Sequence, residues 1–410
     1  MRITNLLIIA SLCYSITHAQ KSETILENES IYIEPEIHLG VNFDRNLKIE
    51  DGVHTSIFLT VAKNNSNTSK EWTSRLNYPK TGMRLGFTNF GNSTFGQAFT
   101  IQPFIESVII KSFNVSVGMG LSYMNTIYDR ETNSSNTNIS SHLSGNFRLT
   151  GHYDIMKSEK VDWRIGLTFL HFSNGRTKTP NEGLNALLLG LSGKIIDRKE
   201  SISVQVPRYD SSSQTYFAMR FGLGFNAISE QYNDTKLVYT FAPTYGKIIN
   251  RTFKYGVGFF YRFYQHYHDY INNEEELVTL EYDHFSDNPT LYSSAFGIFG
   301  SFELLLGHIG IEVACGVNIY KPFYPIDYML NQGELIEDIN GDFRTDYSEL
   351  DFRYEVERII AGRLGLKYYL KSNTESPKNN WYLGAHINSN LGRADFLEFS
   401  IGYVYKISQK

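Results

Sequence analysis

The chain has 410 residues, a formal net charge of −5 and a mean hydropathy of −0.29. Its mild acidity and lack of a basic patch interleaved with aromatics exclude nucleic acid as a partner. Beyond the leader, no stretch approaches the ~18 consecutive apolar residues that a spanning helix needs. The two cysteines, Cys13 and Cys315, cannot make a disulfide framework.

Residues 1–19 read as a secretory signal: Arg2 is the basic region, Leu6 to Cys13 the apolar region, and Thr17-His18-Ala19 the cleavage site before Gln20. Leu12 stands where a lipoprotein signal would carry a small residue. The remainder, 20–410, is expected to be a single all-β transmembrane antiparallel β-barrel of the outer membrane. Tyrosine and phenylalanine each occur 28 times and glycine 32 times, yet the chain is not greasy. Strands that alternate lipid-facing and lumen-facing residues dilute hydrophobicity in this way, and aromatic girdles raise the Phe and Tyr counts. A secreted β-sandwich or soluble β-rich enzyme is the bland alternative.

Period-two alternation over about ten residues, the length of a tilted membrane strand, recurs along the chain. Phe113, Val115, Val117, Met119, Leu121 and Tyr123 alternate with polar or small residues. A polar stretch at 126–140 follows, then a strand at 141–156, a short turn at Lys157 to Lys160, and a strand at 161–173. A longer connection, about 174–183, leads to a strand at 184–196. Further strands are expected at 253–263, 360–370 and 397–406, for a total of about 12–14 strands. Two acidic stretches, 269–288 and 333–357, read as surface loops. Periplasmic turns are short and extracellular loops long, so strand 161–173 runs outward and ends at the outer leaflet.

One face of that strand carries Val161, Trp163, Ile165, Leu167, Phe169, His171 and Ser173. The other carries Asp162, Arg164, Gly166, Thr168, Leu170 and Phe172. Side chains two apart share a face, so a greasy, lipid-facing surface ends in a base and a hydroxyl. A serine hydroxyl needs a neighbouring base, and that base needs an orienting partner. Asn185 heads the lipid face of 184–196, where a hairpin returns it beside His171. Its carbonyl can fix the imidazole tautomer without supplying charge. Asn174, Asn181 and the backbone N–H groups around Gly175 are candidate oxyanion donors.

The run H-F-S-N at 171–174 and P-N-E-G at 180–183 resembles the signature of the lipid A 3-O-deacylase, or acyloxyacyl hydrolase, family of outer-membrane barrels. T-G-M-R-L-G-F-T-N-F-G-N at 81–92, G-L-S-Y at 120–123 and A-D-F-L-E-F-S-I-G-Y at 394–403 are similar to its longer, Bacteroidetes-type members. The resemblance implies Ser173 as nucleophile, His171 as base and Asn181 in the oxyanion hole. Shorter members carry a glutamate where this chain has Asn185, and Glu182 is close in sequence but out of register. H-F-S-N-G-R at 171–176 with Asn185 also resembles outer-membrane phospholipase A, whose triad is Ser-His-Asn and whose members dimerise and use calcium. Both likenesses imply ester hydrolysis of a membrane lipid, with lipid A (lipopolysaccharide) or phospholipid as substrate and no cofactor in the first case. The oligomeric state is left open.

Other features have plainer readings. Asp338, Asn340, Asp342, Asp346 and Glu349 fall at calcium-loop positions, but Phe343 occupies the turn-glycine position, which favours a solvated acidic loop over a calcium site. His266 and His268 are expected on a strand face after Phe263-Tyr264, as girdle or loop residues. His386 is expected in the lumen, bonded to Glu398, and Cys315 is expected to be inert. A rival of another class is a non-enzymatic pore or structural barrel. A lumen plugged by Arg164, Arg262, Arg363, Lys367 and facing carboxylates would argue against the pore.

Overall fold

The computed structural model describes residues 24–26, 31–43, 49–65, 70–196, 202–204, 209–337 and 343–409. The expected signal peptide lies outside the described residues. Strands Phe113–Met124, Leu143–Lys157, Val161–Ser173, Leu184–Ile195 and Phe253–Tyr264 match the expected ones to within two residues. The antiparallel transmembrane β-barrel is therefore as expected, but the single barrel of 12–14 strands is corrected. The strands close into two separate barrels of eight.

Backbone pairing explains the difference. Strand Leu184–Ile195 pairs not only with Val161–Ser173 but also with Ile31–Phe43, in the register Phe43↔Asn185 and Ile37↔Leu191. That pairing completes the first ring. Strand Arg393–Gln409 in turn pairs with Ser213–Asn226, in the register Phe225↔Leu397 and Tyr216↔Lys406. A closed ring leaves no edge whose N–H and C=O groups would face hydrocarbon unpaired.

By packing, the chain divides into two compact units. Among the described residues, one comprises those within 24–126, 145–172 and 184–210; the other comprises those within 127–144, 173–183 and 211–409. In the first barrel, short turns at 111–112 and 158–160 share one end, and the connections 125–142 and 174–183 share the other. In the second barrel, turns 250–252 and 307–308 lie opposite the long connections 265–293 and 321–359.

An eight-stranded barrel has an interior just wide enough to be filled by side chains, and both are filled with charge. In the first barrel, Arg164 bridges Glu34 and Glu106 at 2.9 Å each, and Arg148 pairs with Glu36. In the second, Arg363 joins Glu312 and Glu398, and Lys367 joins Glu303 at 2.9 Å and Glu312 at 2.6 Å. Arg262 approaches Asp395 at 3.6 Å. These pairs plug both lumens and argue against the pore. The outward faces are apolar: Trp163, Ile165 and Leu167 are exposed on the same strand whose Asp162, Arg164 and Thr168 are buried.

Three expectations for the second barrel are corrected. The strand carrying His266 and His268 ends at Tyr264, and both histidines lie on helix Gln265–Asn272, with His266 buried. The acidic stretch 269–288 is not a loose excursion. Tyr270, Ile271, Leu277, Val278 and Phe285 pack in one core with Tyr264, Tyr267, Phe323 and Ile326. Within 333–357 the chain forms a hairpin, Glu334–Glu337 with Phe343–Asp346, and helix Phe352–Ile359, while 338–342 lie outside the described residues. Finally, His386 faces the lumen as expected, but its Nε2 meets Glu312 at 3.1 Å; Glu398 is only its partner across the ladder.

Removing one partner of a buried ion pair strands the others without compensation, typically at a cost of about 3–5 kcal/mol. Arg363→Ala leaves Glu312 and Glu398 short of a cation, so it should lower unfolding stability by about that amount. Urea titration followed by heat-modifiable gel migration measures it, and the outward-facing Val313→Ala, which strands no charge, serves as control.

Candidate active site

Strand Val161–Ser173 holds its alternation to its last turn. His171 stands half-buried on the outward side, and Ser173, two residues on, is buried. The returning strand sets Asn185 directly opposite His171. Asn185 Oδ1 lies 2.9 Å from His171 Nδ1, and Asn185 Nδ2 donates to the carbonyl of Phe43 at 3.4 Å. The second bond fixes which end of the amide faces the imidazole: the carbonyl oxygen does. The proton therefore sits on Nδ1, and Nε2 is the lone-pair nitrogen.

The Ser173 hydroxyl has its own shell. Asn181 Nδ2 donates to Ser173 Oγ at 2.9 Å, and the Gly175 N–H donates at 3.2 Å. Gly175 has φ +67°, a left-handed conformation that favours glycine, and a Cβ there would meet Leu397 Cβ at 3.2 Å. The other end of the Asn181 amide accepts from the Asn174 N–H at 3.1 Å, so this side chain is fixed at both ends.

Asn174 does something different from what the sequence suggested. Its carboxamide is occupied inside the loop, donating to Ser140 Oγ at 3.0 Å and the Lys178 carbonyl at 3.1 Å and accepting from the Arg176 N–H at 2.8 Å. It braces the loop and makes no bond to the Ser173 hydroxyl. The structure thus brings His171 to Asn185, and Ser173 to Asn181 and Gly175, with one strand carrying the base and the hydroxyl two residues apart. Glu182 is exposed and points to no partner in this set.

Sequence reasoning missed the residues that hold the loop. Asn138 Nδ2 donates to the Gly183 carbonyl at 3.0 Å, and the Gly183 N–H donates to the Asn138 carbonyl at 3.2 Å. Arg176 is buried at φ +66° and paired with Asp327 of helix Tyr324–Gln332. Their separation of 151 residues left no local signal. Among the described residues, no group of three or more His, Cys, Asp or Glu is placed to hold a metal ion.

Fold and faces together define an outer-membrane β-barrel protein with a serine and a histidine on one face of one strand. Residues 40–193, essentially the first barrel, match the family described as lipid A 3-O-deacylase (PagL). Among solved structures, that of the outer membrane enzyme PagL is 16% identical, with 39% of this chain and 97% of that one covered at a TM-score of 0.29. The outer membrane protein opdK from Pseudomonas aeruginosa is 8% identical, with 93% and 99% covered at a TM-score of 0.21. No curated protein matches the chain.

The Asp327 carboxylate carries a pH dependence. Burial works to raise its pKa, but the guanidiniums of Arg176 and Arg393 and the hydrogen bond from Arg176 outweigh burial and hold the group at about 2, from an ordinary 3.8. A carboxyl depressed on folding stabilises the folded state above its unfolded pKa and loses that contribution as pH falls. The stability gap between wild type and Asp327→Asn should therefore be on the order of 2 kcal/mol near neutrality and vanish between about pH 4 and pH 2. Urea titrations of both proteins across that range check it.

Proposed function

We propose that the protein is an outer-membrane serine esterase that removes an ester-linked 3-hydroxyacyl chain from lipid A. The observation that carries this reading is the pair of anchored contacts at the end of one strand: His171 Nδ1 to Asn185 Oδ1, and Asn181 Nδ2 to Ser173 Oγ, both 2.9 Å. The family match over residues 40–193 supports lipid A as substrate, and long connections at the His171 end support an active site at the outer leaflet.

In this mechanism Ser173 Oγ attacks the ester carbonyl carbon while His171 Nε2 takes the hydroxyl proton. Asn185 keeps the imidazole in the tautomer that leaves Nε2 free. The carbonyl oxygen gains negative charge one bond from the atom that Oγ joins. A donor already 2.9 Å from Oγ needs little movement to reach it, so Asn181 Nδ2 and the Gly175 N–H serve as the oxyanion donors. His171 then protonates the departing alkoxide of the sugar. Water, deprotonated by the same nitrogen, attacks the acyl carbon; the bond to Ser173 Oγ breaks, His171 returns the proton to Oγ, and the fatty acid is released. None of these steps needs a cofactor.

Asn185 favours a second reading, since its amide on His171 is the Ser-His-Asn arrangement that phospholipase A likeness implies. Phospholipid would then be the substrate, with calcium as the ion that reaction requires.

Mass spectrometry of lipid A and of phosphatidylethanolamine, each incubated with purified protein, separates the two. Loss of one hydroxyacyl mass from lipid A, insensitive to chelator, is expected. Lysophospholipid formation that stops on chelation would instead assign the phospholipase. Ser173→Ala and His171→Ala should each lower turnover at least ~10³-fold, and Asn181→Ala about 10²-fold, as loss of one oxyanion donor does. Full activity in both Ser173→Ala and His171→Ala would sink the assignment. Both lumens being plugged, planar bilayers should show no steady conductance.

A further inference from the structure

Of the two cations in the loop that follows Ser173, Lys178 is exposed and Arg176 is buried. Beside a site for an anionic lipid, an anchor for phosphate is the first reading to test. Its guanidinium is not available for that. Nη1 donates to Asp327 Oδ2 at 3.3 Å, and Nη2 donates to Asp327 Oδ1 and to the Ile228 carbonyl, the latter at 2.6 Å. Asp327 is itself fixed, since Oδ1 also accepts from the Tyr267 hydroxyl and from Asn331 Nδ2. Tyr267 in turn stacks on Phe323 with ring centroids 4.2 Å apart.

The same loop is held at further points by the segment after strand Ser213–Asn226. The Ala227 N–H donates to the Arg176 carbonyl at 2.9 Å. Asn233 reads the backbone of Thr179 in both directions, accepting from its N–H at 2.8 Å and donating to its carbonyl at 2.5 Å. Thr235 Oγ1 donates to the Thr177 carbonyl at 2.6 Å. Two polar groups of the loop, Asn181 Nδ2 and the Gly175 N–H, turn to Ser173 Oγ. The left-handed backbone of Arg176, φ +66°, is a conformation that a non-glycine residue holds only when its surroundings fix it.

We infer that Asp327 and Asn233 are positioning residues for the reaction: they strap loop 174–183 so that Asn181 Nδ2 and the Gly175 N–H stay aimed at Ser173 Oγ. This inference rests on Ser173 being the nucleophile. It also gives the strands and loops after residue 211, which lie beyond the family match, a part in the chemistry: they hold the donor loop from outside the substrate. Neither residue touches substrate, so each acts through Asn181 and Gly175.

The test is steady-state deacylation of detergent-dispersed lipid A by Asp327→Ala and Asn233→Ala, with rates normalised to folded barrel by heat-modifiable migration. A displacement of about 1 Å in a catalytic group costs up to ~10²-fold. Both variants should therefore lose about 10–100-fold in kcat with KM within about threefold. They should lose the same factor in the rate at which a fluorophosphonate labels Ser173, which reports oxyanion donors without lipid binding. A merely structural role lowers the folded fraction and leaves turnover per folded barrel unchanged. Wild-type kcat in both variants would overturn the inference, as would a rise in KM at constant kcat. Should Asp327→Ala not fold, Asn233→Ala, which removes no charge, decides alone. Absence of turnover in wild type, with Ser173 unlabelled, marks failure of the esterase reading itself and is a different result from active variants.

Discussion

A strand in hydrocarbon has no water to satisfy its backbone, so every N–H and C=O must find another strand, and the sheet must close. Closure at eight strands sets the rest. The ring is too narrow for a channel and too wide to stay empty, so inward positions fill it with side chains. Here they do so with Arg164, Glu34 and Glu106 in one ring and Arg363, Lys367, Glu312 and Glu398 in the other. These charges are sustained only because each cation meets a carboxylate at close range. The cost of that arrangement is that the interior has no room for chemistry on a lipid.

The proposed chemistry is therefore left to the outer wall, and period two decides where it can stand. Two side chains on one strand must be an even number of residues apart to face the same way, as the proposed base His171 and nucleophile Ser173 are. A lipid needs no path into the protein to reach them. The strand end also suits the reaction for a backbone reason: beyond Ser173 the ladder stops, and the freed N–H of Gly175 turns toward the hydroxyl. Within the ladder that N–H would be committed to a neighbouring strand.

Much of this was legible in the sequence because alternation and hairpin return are local. Strand Val161–Ser173 ends where its pattern ends, and Asn185 falls opposite His171 because a hairpin fixes register. What was not legible depends on distance along the chain. Closure of Ile31–Phe43 on Leu184–Ile195 is invisible to alternation, since one large ring and two small ones use the same strands. Strand Ile31–Phe43 is also disguised by Glu34, Glu36 and His38 on its inner face and by Pro35. The helices near 265–293 were masked by their acidity: Glu275 and Glu276 suggest a solvated loop, whereas Tyr267, Tyr270 and Leu277 on the same stretch bury the helix faces. Asn174 looked like a donor to the oxyanion by adjacency alone. Three hydrogen bonds within its loop and to Ser140 commit it elsewhere.

Asn185 is the residue where the chemistry and the membrane pull in different directions. A carboxylate beside His171 would stabilise the imidazolium formed during attack, through charge that an amide lacks. On a wall facing lipid, however, an ionised carboxylate must be desolvated, at a cost far above that of a neutral amide whose groups are bonded. Asn185 meets that condition, with Oδ1 on His171 and Nδ2 on the Phe43 carbonyl. The amide retains the tautomer control that leaves Nε2 as base and gives up the charge. In the proposed mechanism the imidazolium then draws its stabilisation from the charge that builds on the substrate. A rigid donor loop matters more in such a site than in one with a carboxylate. That is the loop anchored by Arg176 on Asp327 and by Thr179 on Asn233.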